Sequence, residues 1–73
     1  ILKVMQGVGR NGAGNITLTG LAAGDVISHV QNVTDGGNIT SSFTSPVASA
    51  NTLAQSAATD LSAKTILVTV KTA

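Results

Sequence analysis

One imidazole, three carboxylates and a glycine-rich hexapeptide are the parts of this 73-residue chain with the chemistry to act on another molecule. His29 is the sole side chain suited to acid–base work or to nitrogen ligation of a metal. Asp25 lies four positions before it. In a strand that spacing puts both on one face but about 13 Å apart, too far for a hydrogen-bonded pair. A metal site needs three or four ligands, and only Asp25, Asp35 and Asp60 are available to join His29. Nucleophilic catalysis needs a hydroxyl beside a base that is itself oriented by a third group. The chain has seventeen Ser and Thr, but one His and three scattered Asp assemble no such set. The expectation is a protein that is not an enzyme and binds neither metal nor cofactor. His29 is then a surface or interface residue, and in an interface it would make assembly respond to pH near about 6–7.

Gly7-Val8-Gly9-Arg10-Asn11-Gly12 matches the dinucleotide pattern G-x-G-x-x-G. That motif works where it opens a helix whose N-terminus receives the pyrophosphate. Here Ala13-Gly14-Asn15 leads into a strand pattern, so the segment reads as a mobile Gly-rich loop. Asp35-Gly36-Gly37-Asn38 has the look of a calcium-loop fragment, but such a loop ends on a bidentate Glu, and the chain contains no Glu. A hairpin turn is the better reading, because Asp, Gly and Asn accept positive φ. Asn15-Ile16-Thr17, Asn32-Val33-Thr34 and Asn38-Ile39-Thr40 fit the glycosylation acceptor pattern; with five Asn among so many hydroxyls they read as strand-edge composition.

The rest of the composition narrows the class. Charged residues are 10% of the chain, against an average of about 25%. A net charge of +1 cannot neutralise a phosphate track, and with one Phe and no Trp or Tyr bases have nothing to stack on. No run of about 18 apolar residues exists to form a spanning helix. Nucleic acid and membrane are therefore not expected partners. Without Cys there is no disulfide, and cysteine says nothing about compartment. The absence of an initiator Met suggests a processed, trimmed or partly read chain. A core below roughly 70–80 residues rarely yields more than about 3–5 kcal/mol. With disulfide and metal set aside, burial against a partner or against copies of itself is the expected supplement.

The elements that must position these residues are strands. Val, Ile and Thr total 23 of 73, and branched side chains fit a pleated surface better than a helical turn. Gly and Asn punctuate the chain every 8–12 residues, the rhythm of an all-β sandwich or barrel. Residues 1–8 predict a first strand with Leu2 and Val4 in alternation, followed by the loop 9–15. Residues 15–19 alternate Ile16 and Leu18 against Thr17 and Thr19. After a corner at 20–25, residues 26–34 predict a long strand with a bulge near Val26-Ile27. Residues 39–45 alternate through Ile39, Ser41 and Phe43 until Pro46. Residues 52–56 suit a strand or, given the alanines, a short helix. Residues 65–72 predict the clearest strand, with Ile66, Val68 and Val70 inward and Leu67 breaking the outward set. The prediction is one all-β domain over residues 1–73, a small antiparallel sandwich or barrel of six to seven short strands. Residues 1–14 supply its extended N-terminal strand and Gly-rich loop.

Leu18-Thr19-Gly20-Leu21-Ala22-Ala23-Gly24-Asp25-Val26-Ile27 resembles the strand–corner–strand passage of fibronectin type III and related immunoglobulin-like sandwiches. Ile27 stands where that corner carries a Tyr, so its hydroxyl hydrogen bond has no counterpart. Leu18–Asp25, the turn at Asp35-Gly36-Gly37, and the passage from Thr52-Leu53-Ala54-Gln55-Ser56 through Thr59-Asp60-Leu61-Ser62 to Thr65-Ile66-Leu67-Val68-Thr69-Val70 resemble small virion proteins of tailed bacteriophages. Capsid decoration, or cement, proteins are the nearest type. The resemblance implies a non-enzymatic β-rich subunit on the virion's capsid surface, bound to the major capsid protein or other virion subunits, commonly as a homo-oligomer (dimer or trimer). No family binding residue transfers by position.

The expected function is bridging of capsid subunits. Burial of Val, Ile and Ala would supply most of the free energy, at about 25 cal/mol per Å², and pairing at strand edges would set register. Candidate interface residues are Ile1, Leu2, Val4 and Met5 in the N-terminal segment and Ile66, Leu67, Val68 and Val70 in the last strand. Phe43 is a core anchor, or an interface anchor if exposed. The alternative is an extracellular fibre, pilus or surface-layer module that self-assembles or adheres. A carbohydrate-binding sandwich is a third reading, disfavoured by the lack of Trp and Tyr.

Overall fold

A computed structural model describes residues 1–72. Alternation at a period of two dictates the strands: β1 Leu2–Val8, β2 Gly14–Thr17, β3 Val26–Asn32, β4 Gly37–Asn38, β5 Thr52–Gln55 and β6 Thr65–Lys71. All pairings are antiparallel. One sheet has the order β1-β6-β3-β4 and the other pairs β2 with β5. This is the all-β antiparallel architecture expected, with six strands. Among the described residues no helix is long and apolar enough to cross a membrane.

One apolar cluster joins the two sheets. Ile27, Val30, Ile66, Val68 and Val70 come from the inner face of the larger sheet, Ile16 and Leu53 from the smaller. Leu18, Leu21, Phe43, Val47 and Leu61 close its margins from the loops, with Met5 and Ile39 packed against it. β6 is the central strand of the larger sheet, so its inward Ile66, Val68 and Val70 are all fully buried.

Two segments differ from the sequence expectation. Residues 40–42 form a 3-10 turn rather than a strand. The Asn38 side-chain oxygen accepts from both the amide (3.0 Å) and hydroxyl (2.6 Å) of Thr40, and the Thr40 hydroxyl accepts the amide of Val30 at 2.9 Å. Such side chain–backbone bonds offer the chain an alternative to a ladder. Only Phe43 retains a β-bridge, to Gln55. Residues 52–55 resolve the helix-or-strand ambiguity as strand, because Leu53 and Gln55 bury on one face while β2 pairs alongside.

The turn also sits two residues earlier than expected, over residues 33–36. The Asn32 side-chain oxygen accepts the Asp35 amide at 3.0 Å, Gly36 adopts φ +82°, and β4 already begins at Gly37. The acceptor Asn32 is therefore buried in its own turn.

Candidate functional site

β1 alternates exposed and half-buried residues along its whole length. Lys3, Met5 and Gly7 face inward. Leu2, Val4, Gln6 and Val8 face solvent, and the ladder sets them beside the outward residues of β6 and β3. Four cross-strand rows result: Leu2, Lys71 and Val26; Val4, Thr69 and His29; Gln6, Leu67 and Gln31; Val8, Thr65 and Val33. Leu2, Val4, Val8, Val26 and Val33 are each about half exposed or more, and Leu67 is partly covered between the two glutamines. Lys71 and His29 are the two ionisable side chains in these rows. The outer face of the four-stranded sheet is thus a weakly charged, half-apolar surface.

His29 reaches this face through a bulge. Ile27 opposes Val70 and His29 opposes Thr69, so Ser28 is an extra residue and the alternation shifts there. A bulge re-aims the side chains that follow it. The expectation that Asp25 and His29 share a face is therefore corrected: His29 points outward with Gln31, and Asp25 is buried. The His29 Nε2 lies 3.1 Å from the Gln31 side-chain oxygen. Asp25 instead receives Lys3 Nζ at 3.0 Å and the Ala22 amide at 3.0 Å, while Lys3 also donates to the Gly20 carbonyl at 2.8 Å. This carboxylate braces the 18–25 corner from inside. Among the described residues no group of three or more His, Cys, Asp or Glu is placed to hold a metal, and there is no pocket.

The Gly-rich loop is anchored rather than mobile, and its anchor is Gln55. Its side-chain amide nitrogen lies 3.1 Å from the carbonyls of Arg10 and Gly12, 3.2 Å from that of Ala57 and 2.9 Å from that of Thr59. Its oxygen accepts the Arg10 amide at 3.1 Å. A Cβ on Gly9 would fall 2.7 Å from the Leu61 carbonyl oxygen, so the close approach of these loops requires glycine there. Nothing in the spacing of the sequence singles out Gln55. The signal was weak: one amide residue on the buried phase of a strand.

No protein family, curated protein or solved structure matches this chain. Its surface must therefore be read on its own geometry.

Of the nine candidate interface residues, the structure leaves Ile1, Leu2 and Val4 exposed, with Ile1 at 92%. Met5 and Leu67 are half-buried. Phe43, Ile66, Val68 and Val70 lie in the core, and their apolar surface is already covered by this chain. Ile66, Val68 and Val70 are corrected from interface to core residues, and Phe43 takes the first of its two expected places, as a core anchor. The outer-face residues Val8, Val26 and Val33 were not singled out by the sequence reading. Val26 precedes the bulge, so its face is set by β-pairing. Val33 lies one residue beyond β3 and is held outward by its amide bond to Thr65 (2.9 Å).

Proposed function

We propose that this protein is a non-enzymatic structural subunit that docks on a preformed protein shell, of the capsid-decoration type. The outer face of the four-stranded sheet supports this reading. Apolar groups there alternate with Thr and Gln, few charges oppose desolvation, and the described residues form no pocket for a small substrate. Apolar side chains left exposed together on one sheet face, rather than scattered over the molecule, favour that face as the interaction site. A surface without a pocket fits a protein neighbour better than a small ligand, which prefers a concave site.

Docking buries Val26 and Val33 against the shell, where burial stabilises by about 25 cal/mol per Å² of apolar area. The fibre or pilus alternative needs two open edges for head-to-tail growth. The far edge of the larger sheet is β4, two residues long, which disfavours growth through this sheet.

Cosedimentation tests the reading. The purified chain should pellet with intact undecorated shells and stay in the supernatant alone. The double variant Val26→Asp, Val33→Asp should lose shell binding by tenfold or more and keep the wild-type melting temperature within about 2 °C. Filaments formed by the chain alone, or undiminished binding by the variant, would overturn it.

A further inference from the structure

The two long edges of the larger sheet are treated differently. Beyond β3 the edge is closed: the amides of Ile27 and Val30 are taken by the hydroxyls of Ser45 (3.0 Å) and Thr40 (2.9 Å). The carbonyls of Asp25 and Val30 accept from Val47 (2.8 Å) and Ile39 (2.9 Å). The β1 edge has no such closure among the described residues. The ladder fixes which groups it presents. Thr72 donates to the Ile1 carbonyl and Gly9 donates to the Lys64 carbonyl. Antiparallel pairs alternate between bonded and non-bonded, so the odd-numbered residues of β1 bond to β6. The amides and carbonyls of Leu2, Val4, Gln6 and Val8 therefore point away from the sheet, along its rim.

Sheet proteins usually blunt such a rim with a charge, a Pro or a bulge. β1 has no Pro and an unbroken register, and its one charged residue, Lys3, turns inward to Asp25.

We propose that the β1 edge pairs with β1 of a second copy of this chain, antiparallel about a two-fold axis through Met5. In that register Leu2 opposes Val8 of the second copy and Val4 opposes Gln6, so all four outward-facing residues on each chain form bonded pairs. Lys3 opposes Gly7, and the two Lys3 residues stand about 13 Å apart along the strands, so no like charges meet. A pairing that set Lys3 against Lys3 would use fewer residues and place two cations together. The interface is isologous and closes as a dimer. The result is an eight-stranded sheet in which the apolar outer faces of both copies become one surface. A standard interface takes about 800 Å² per partner, about a fifth of the 3860 Å² surface of this chain. An edge strip about 23 Å long covers less, so dissociation lies in the micromolar range typical of small interfaces. The pairing does not depend on the shell-docking proposal.

Sedimentation velocity and cysteine crosslinking test it. The 73-residue chain should pass from monomer to dimer between about 1 and 300 μM. Val4→Pro removes one outward amide and no bond to β6, so it should keep the strand spectrum and weaken dimerisation at least tenfold. The chain has no natural cysteine. Under mild oxidation Met5→Cys should crosslink across the axis. Val8→Cys, whose two copies lie about 20 Å apart in this register, should not. A wild type that stays monomeric to 300 μM, a folded Val4→Pro that dimerises as tightly as wild type, or equal crosslinking of the two cysteine variants would overturn the pairing. Should Val4→Pro fail to fold, the cysteine pair decides. A monomer that still pellets with shells removes this dimer and leaves the docking proposal standing, and a dimer that ignores shells does the reverse.

Discussion

At the residue scale, Gln55 does the work that the ionisable residues do not. It is 2% exposed, and its amide group reinforces two loops whose backbones otherwise meet through the bridge of Asn11 to Asp60. Removing it takes the donor from the Gly12 and Ala57 carbonyls and the acceptor from the Arg10 amide, and a buried polar group left unsatisfied costs about 1–3 kcal/mol. Gln55→Ala should therefore destabilise by about 2–4 kcal/mol in urea unfolding. Gln55→Glu adds a sign test. A buried carboxylate facing four carbonyl oxygens disfavours ionisation, which raises its folded-state pKa. The penalty should be small at pH 4 and grow as pH rises above the ordinary Glu value of about 4.3. Lys3 is a second such residue. With its side chain one-third exposed and that of Asp25 2% exposed, Lys3→Met should cost about 1–2 kcal/mol, reduced by solvent screening of the pair.

At the element scale, β6 carries the fold. It is paired on both sides, its even residues bonding to β1 and its odd residues to β3, and every second side chain enters the core. Ile66→Ala should cost about 2–4 kcal/mol, while Leu67→Ala, one residue on and facing outward, should cost under about 1 kcal/mol. Equal effects in denaturant titration would contradict the observed register. These facts separate what the sequence showed from what it hid. Period-two alternation in residues 65–71 and 15–19 named both strands and their buried phases, because inward and outward positions there differ in polarity. The same logic left β1 ambiguous: Leu2, Val4 and Val8 are the apolar phase, yet they face solvent while Lys3 turns inward to a buried carboxylate. Residues 39–45 alternate well enough, but local hydroxyl and amide bonds at Asn38 and Thr40 drew them out of the ladder.

At the scale of the whole molecule, stability at neutral pH leans in part on exposed carboxylates. The Lys64 ammonium, 2.9 Å from Asp35, holds that carboxyl below its ordinary value. The Ser62 hydroxyl and amide do the same for Asp60. A carboxyl whose folded pKa is lowered contributes stability above its unfolded value, and loses it as pH falls through the folded value. The melting temperature should thus hold between pH 7 and 5 and decline below about pH 4. The Asp35 share should shrink in high salt, because its ion pair is solvent-exposed. Mass action adds a further signature: if only the folded chain pairs, the melting temperature should rise with protein concentration.

Composition and periodicity alone determined that this is a strand-built chain of low charge, because those properties depend on which residues are present and on a spacing of two. The fate of the apolar residues was decided only in three dimensions. Whether an apolar strand face is core or surface depends on what packs over it, and whether a rim is open depends on which hydroxyls fold back to close it. Tertiary contacts seated Phe43 in the core, turned Val4 and Val26 out, and left β1 as an open edge of the larger sheet.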